Sequence, residues 1–254
     1  MTKVLVLGAG GAGVSNIAQI YRQQGFNVVG ADKIKNIATA NLESLGIKVC
    51  LDNDLSALEN TDLIFKSSAI KNDNLLLIEA KKQGIKIITR HDFFKNLSLT
   101  RDVIAVSGSS GKTSVTSVTS HVLSADRDCG YLVGIHGKGG HNGSKEVKEF
   151  VLEADEYAKT FLSLEKVKIG IINSITFDHI DIYPTKQDYY QVFKDFAVKC
   201  ENLIVNGDDE IIQREIQHPK LIKIGYKFEN NWSARQVVNF EGGSKFSVLI
   251  LKTK

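Results

Sequence analysis

The stretch Asp102-Val103-Ile104-Ala105-Val106-Ser107-Gly108-Ser109-Ser110-Gly111-Lys112-Thr113-Ser114 constrains the fold more than any other. An apolar run ends in Ser and Gly, and Gly-Lys-Thr opens a segment with helical spacing. Strand, glycine turn and helix in that order are the parts of an α/β unit that presents a helix N-terminus to an anion. Backbone N–H groups around Gly108 and Gly111 can converge on a phosphate, with Ser109, Ser110 and Ser114 as further polar contacts. Lys112 reaches β- and γ-phosphates, and the Thr113 hydroxyl is placed for Mg²⁺. The full loop reads G-x-x-x-x-G-K-[ST]. Here the first glycine position is Val106, which leaves the shorter G-x-x-G-K-T from Gly108 to Thr113. The plainer alternative is a Gly/Ser-rich turn with an exposed lysine.

The N-terminal hundred residues repeat a strand–helix alternation. Lys3–Leu7 is a buried-strand pattern, Val14–Gln23 a helical run ended by Gly25, and Asn27–Asp32 a second strand with an acid at its end. Gly8, Gly10 and Gly13, with Gly11 and Ala12 between them, satisfy G-x-G-x-x-G, and Asp32 follows about 20 positions on. Read alone, this is a dinucleotide-binding βαβ unit with Asp32 on a ribose or base, as in an NAD-dependent oxidoreductase. Strands at residues 47–51, 63–68 and 85–89 and a helix at 75–83 continue the pattern. A parallel sheet with helices on both faces is therefore predicted, with ligands beyond the C-terminal strand ends. Gly8–Gly13, Asp32 and Ser67-Ser68-Ala69-Ile70 all fall at such ends. For Ser67–Ile70 a plain strand-end turn is an equal reading.

Lys95–Arg101 is polar and aperiodic, and a domain boundary is predicted there, giving domains 1–100 and 101–254. Behind the loop, the pattern predicts a helix over 112–123 and strands over 130–134, 149–156, 168–173 and 203–206. A helix is predicted over 186–199, and β structure over 221–226 and 245–251. Residues 135–145 hold four glycines and two histidines and read as a mobile loop. The strand Glu149–Glu156 ends in acids, and Lys168–Asn173 runs into Ser174-Ile175-Thr176-Phe177-Asp178-His179-Ile180-Asp181. A Mg²⁺ held by the Thr113 hydroxyl and phosphates needs further oxygen ligands, and Glu153 can supply one. His179 can ligate a second divalent ion, with Asp178 or Asp181 fixing its tautomer. Taken singly, the acids read as a solvated strand end and His179 as a surface turn residue. Shared placement beside a phosphate loop tips them toward function.

Composition excludes several classes. Net charge is +3, too balanced for nucleic acid or a membrane surface as main partner. No apolar run approaches the ~18–20 residues of a membrane span. The chain enters a strand pattern almost at once, which leaves no room for a signal peptide. Cys50, Cys129 and Cys200 are widely spaced, without C-x-x-C, and read as reduced, mostly buried thiols in a cytoplasmic protein.

Four stretches together resemble the Mur ligase family, the ATP-dependent amide ligases of peptidoglycan precursor synthesis. They are Gly108–Ser114 (GSSGKTS), similar to G-T-x-G-K-T-[TS]; Glu153–Tyr157 (EADEY); Asn173–Asp181, similar to N-x-x-x-D-H-x-D; and Gly8–Ala18 with Gly30-Ala31-Asp32 and Ser67–Ile70 followed by Asp73-Asn74. The family also lacks the early Walker glycine, so Val106 matches it. The N-terminal pattern and EADE resemble the branch that adds L-alanine to UDP-N-acetylmuramate. Phe177-Asp178-His179 leans toward the recycling branch that attaches a whole peptide.

The resemblance implies a Rossmann-like first domain that holds the UDP-sugar, not NAD, at Gly8, Gly10, Gly11, Ala12, Gly13, Asp32, Ser67, Ser68 and Ala69. It implies a P-loop second domain that holds ATP and Mg²⁺. The lactyl carboxylate would take the γ-phosphoryl group, and the amine of L-alanine would displace phosphate from the acyl phosphate. Lys112, Glu153 and His179 carry over as catalytic residues and Asn173 as an ATP-site residue. Thr113 and Glu153 would hold one Mg²⁺ and His179 a second ion. Lys194 sits at the distance of a lysine that some branches carbamylate. Leu51-Asp52 stands where the L-alanine branch usually has Gly-His, and residues 135–145 shorten a longer family loop. The chain stops at Lys254 inside a β pattern. A truncated or split ligase is therefore expected, its ATPase domain incomplete and its amino-acid-binding domain absent or supplied by a separate chain. The reading from another class is a non-catalytic nucleotide- or UDP-sugar-binding protein.

Overall fold

A computed structural model describes residues 1–134, 141–143 and 147–251. The loop expected at 135–145 therefore lies largely outside the described residues. The chain divides into two compact units, one of residues 1–101 with 116–152, the other of 102–115 with 153–254.

The first unit opens with β1 (Lys3–Leu7), α1 (Ala12–Gln23), β2 (Asn27–Asp32), α2 (Ile37–Ser44), β3 (Lys48–Leu51), β4 (Leu63–Lys66), α3 (Leu75–Lys82), β5 (Lys86–Thr89) and α4 (Arg90–Thr100). All five strands run parallel in the order β3-β2-β1-β4-β5. Covered on both faces, β1 is an unbroken apolar run, with Val4 to Leu7 fully buried. The strand order reverses between β1 and β4, the place where such sheets open a ligand crevice. One core cluster joins Leu5, Leu7, Ile64, Leu76 and Leu77, and an edge-packed aromatic cluster joins Tyr21, Phe65 and Phe93.

Helix α4 corrects the expectation of an irregular polar boundary at 95–101. Thr89 and Asp92 form a capping box that starts the helix, and Phe93, Phe94 and Leu97 turn one face inward. Residues 95–100 of the polar stretch thus continue a helix that starts at Arg90, and Arg101 ends it in an extended conformation.

Next come β6 (Asp102–Ser107), α5 (Lys112–Asp126), β7 (Cys129–Leu132), β8 (His141–Asn142) and β9 (Glu149–Glu153). β7 pairs β8 antiparallel and β9 parallel. Within the first unit this segment meets α1. The buried Asn16 donates to Val133 O at 3.2 Å, and Gly143 N donates to Gln23 Oε1 at 2.7 Å.

The second unit continues with β10 (Val167–Ile172), α6 (Lys186–Val198), β11 (Cys200–Asn206), α7 (Glu210–Glu215), β12 (Leu221–Gly225), β13 (Trp232–Phe240) and β14 (Gly243–Ile250). Its strands lie in the order β14-β13-β12-β11-β10-β6. They are parallel from β6 to β13, and β14 returns antiparallel. Strand β13 was not legible as a strand, because its residues alternate poorly and stand largely exposed. A capping box of Thr185 and Asp188 starts α6. The inner face of α6 packs Tyr189, Phe193 and Phe196 against Tyr183 and Phe161. The expectation of an α/β protein built on a parallel sheet is met. No described helix is long and apolar enough to cross a membrane.

Candidate functional site

β6 ends at Ser107 and α5 begins at Lys112, so Gly108–Gly111 is the turn between them. Val106, the departure from the longer glycine motif, is a buried strand residue. Gly111 has φ +73°, and a Cβ there would lie 2.5 Å from Asn173 Nδ2. Only glycine fits that combination. Asn173 Nδ2 donates to Ser110 O at 2.9 Å, which gives this residue a role its sequence pattern left unassigned: it shapes the loop.

The segment after β10 grips the loop further. Ser109 N donates to Ser174 O at 3.0 Å, Ser110 N to Ser174 Oγ at 3.0 Å, and Thr176 N to Ser109 Oγ at 2.7 Å. Ser109 and Ser110 thus fix the loop to its neighbour. Ser114 lies in the first turn of α5.

Two pairs of side chains face each other at the mouth of this turn. Thr113 Oγ1 lies 3.1 and 3.0 Å from the two carboxylate oxygens of Glu153, at the end of β9. Lys112 Nζ lies 2.8 Å from Glu156 Oε2, with side chains 14% and 0% exposed, and also donates to Gly108 O at 2.7 Å. Glu156 belongs to the EADE stretch, yet its pairing with Lys112 joins residues 44 positions apart and has no local signature.

His179 adopts φ +56°, an uncommon backbone conformation for a non-glycine residue. Its Nε2 lies 3.6 Å from Glu156 Oε1, and its ring packs edge-on against Tyr157. The two aspartates expected to fix its tautomer are used otherwise. Asp178 Oδ1 accepts from the His179 main-chain N–H at 2.7 Å, and Asp181 Oδ2 accepts from Tyr157 OH at 3.4 Å. Tyr189 OH, 3.0 Å from Ser109 Oγ, is pushed above the ordinary phenol range by burial. Lys194 is held elsewhere, 2.8 Å from Glu215 Oε2.

Thr113 and Glu153 present a hydroxyl and a carboxylate, the hard oxygen donors that suit Mg²⁺ when phosphates complete the shell. Among the described residues no group of three or more His, Cys, Asp or Glu is arranged to hold a metal by itself.

In the first unit, Gly8 has φ +89°, and a Cβ there would stand 2.6 Å from Ser67 Cβ, so the ends of β1 and β4 touch through it. Gly10 N donates to Asp32 Oδ2 at 2.7 Å, and Asn36 Nδ2 donates to Gly10 O at 3.0 Å. Asp32 therefore holds the glycine turn in shape. Gly11 caps α1, whose first residue is Ala12. Ser67 is buried, and Ser68 and Ala69 are exposed beyond β4. A Cβ on Gly13 would meet Arg90 Nη1 at 3.6 Å. Arg90 follows β5 directly. Its place at a strand end is visible in the sequence.

Comparison with known proteins places the chain in a family. The profile described as Mur ligase family, catalytic domain, matches residues 3–101, and that of the Mur ligase middle domain matches residues 106–254. The UDP-N-acetylmuramate–L-alanine ligase of Roseiflexus castenholzii is 33% identical over 231 residues, 87% of this chain and 48% of the relative. That of Streptococcus gordonii is 34% identical over 254 residues, 98% of this chain and 56% of the relative. The chain thus spans about half the length of the curated relatives it matches. Among solved structures, the UDP-N-acetylmuramate-alanine ligase MurC of Thermotoga maritima superposes with TM-score 0.82 at 22% identity, covering 98% of this chain and 58% of that one. The UDP-N-acetylmuramate:L-alanyl-gamma-D-glutamyl-meso-diaminopimelate ligase of Neisseria meningitides gives 0.80 at 22%, covering 98% and 84%. With family profiles matching residues 3–101 and 106–254, the chain belongs to the Mur ligase family.

Proposed function

We propose that this chain carries the nucleotide-sugar and ATP sites of a ligase that joins L-alanine to the lactyl carboxylate of UDP-N-acetylmuramate in the cytoplasm. The observation that carries this reading is the pairing of Thr113 with Glu153 and of Lys112 with Glu156 at a Gly108–Gly111 turn. The curated relatives are named for that reaction. Residues 1–100 would hold the UDP-sugar and residues 101–254 the ATP. The amino-acid site is assigned to the part of the relatives that this chain does not span.

Mg²⁺·ATP, when bound, supplies the γ-phosphoryl group that activates the carboxylate as an acyl phosphate for attack by the amine. Lys112 and the first N–H groups of α5 counter the charge of the transferring group. Thr113 and Glu153 would hold Mg²⁺, and His179 would ligate a second divalent ion. Asn173 keeps Gly111 in the conformation the phosphates need. In the first domain the Gly8–Gly13 turn, braced by Asp32, receives the sugar nucleotide beside Ser67, Ser68 and Ala69, and Arg90 offers a cation to its phosphates.

Titration with UDP-N-acetylmuramate, Mg²⁺·ATP and NAD tests the reading. Saturable binding of the first two, each without displacing the other, is expected. Saturable NAD binding that UDP-N-acetylmuramate displaces would instead assign the Gly8–Gly13 turn to a dinucleotide.

A further inference from the structure

A buried carboxylate stands where an incoming phosphate must take over Lys112. Glu156 is fully buried, and its Oε1 and Oε2 lie 3.0 and 2.8 Å from Lys112 Nζ. Nζ also donates to Gly108 O at 2.7 Å. An ammonium group has three N–H donors, and these three acceptors match them. Phosphate can bind Nζ only by displacing at least one. The main chain that carries this carboxylate is tethered, because the Glu156 carbonyl accepts a hydrogen bond from the buried Tyr183 OH. It does keep other partners: Tyr189 OH donates to Oε1 at 3.4 Å, and His179 Nε2 lies 3.6 Å from the same oxygen.

Resting on the reading of Gly108–Ser114 as an ATP-phosphate loop, we propose that Glu156 is a positioning residue that sets nucleotide affinity. It occupies Lys112 while the loop is empty and yields that ammonium to the β- and γ-phosphates. A fixed negative charge beside Nζ opposes the anion that needs the same Nζ, and burial leaves that opposition poorly screened. Tyr189 and His179 stay beside the carboxylate and lower the cost of the exchange without removing it. The same contact holds Lys112 inside the loop, ready for the phosphate.

Calorimetric titration of the wild-type protein and Glu156→Gln with Mg²⁺ and a non-hydrolysable ATP analogue, and with inorganic tripolyphosphate, tests this. Glutamine keeps the shape and one acceptor for Lys112 but removes the charge. The expected result is a Kd about tenfold lower for both ligands in the variant, a change of about 1.4 kcal/mol. A merely structural carboxylate predicts an unchanged or higher Kd, and that outcome overturns the proposal. If the wild type binds neither ligand, the phosphate-loop reading falls, and this proposal with it. Should the variant not fold, a crystal structure of the wild type with the analogue decides. Nζ on the phosphates and withdrawn from Glu156 is expected, and Nζ still bonded to both carboxylate oxygens overturns the proposal.

Discussion

Thr113 Oγ1 stands within hydrogen-bond distance of both carboxylate oxygens of Glu153, at 3.1 and 3.0 Å. The pair joins the first turn of α5 to the end of β9, and two oxygen donors of different strength share one opening. If Mg²⁺ enters there, Glu153→Gln weakens the metal-dependent part of nucleotide binding. Affinity for the Mg²⁺-bound ATP analogue is expected to fall roughly tenfold or more. Affinity for the metal-free analogue should stay near wild type. Titration in Mg²⁺ and in chelator measures both.

Lys112 is coupled to a carboxylate with no solvent exposure. Breaking such a pair from one side leaves a buried charge and costs about 3–5 kcal/mol. Lys112→Ala is therefore expected to melt about 10 °C lower, taking roughly 2–4 °C per kcal/mol. Adding Glu156→Ala should recover most of that loss, as in a double-mutant cycle. Thermal melts of the two single variants and the double variant give the coupling directly, and simple additivity would deny it.

Gly8 and Arg90 probe the proposed sugar-nucleotide site. Alanine at Gly8 meets both the positive φ and Ser67 Cβ at 2.6 Å. It should abolish UDP-N-acetylmuramate binding while leaving the ATP analogue's Kd within about twofold. Arg90→Ala, which removes a guanidinium beside the first turn of α1, should weaken sugar-nucleotide binding about tenfold, close to 1.4 kcal/mol. The readout is the same pair of titrations.

The folded state holds several carboxyls below their ordinary range. The Thr89 hydroxyl and amide depress Asp92. Lys194 and then Arg214 depress Glu215. Burial pushes Asp208 up, but the amides of Tyr226 and Lys227 with Asn230 outweigh it and leave it lowered. A depressed carboxyl contributes stability above its unfolded value and loses it as pH falls through the folded one. Melting temperature should therefore hold steady between about pH 6 and 7 and drop once pH passes below about 4, where unfolded carboxyls take up protons. Asp92→Asn should make that acid limb shallower in a melt series. Glu215, its side chain 12% exposed beside Lys194 and Arg214, contributes to the same acid limb.

Much of this was legible along the chain because the relevant signals are local. The apolar run before Gly108, the glycine turn after Leu7 and the acids after Leu152 each sit within one strand and its exit. Parallel strands buried on both faces read as plain apolar runs. Helix α4 was hidden because its start depends on a capping box at Thr89 and Asp92, and its face on three apolar residues among polar ones. Strand β13 was hidden because an exposed hairpin carries no clean alternation. The side-chain pairs of the candidate site were half visible. Glu153 could be named from its strand end, but the use of Glu156 on Lys112, of Asn173 on Ser110, and of Asp32 on Gly10 exists only once distant strand ends meet.

The most direct measurement is the Kd of a non-hydrolysable ATP analogue with Mg²⁺ for the wild-type protein beside Lys112→Ala, each checked for folding by circular dichroism. Saturable binding by the wild type that Lys112→Ala loses, with UDP-N-acetylmuramate binding retained, is the expected result. Equal affinity in the two folded proteins would contradict the assignment of Gly108–Ser114 as the ATP-phosphate site.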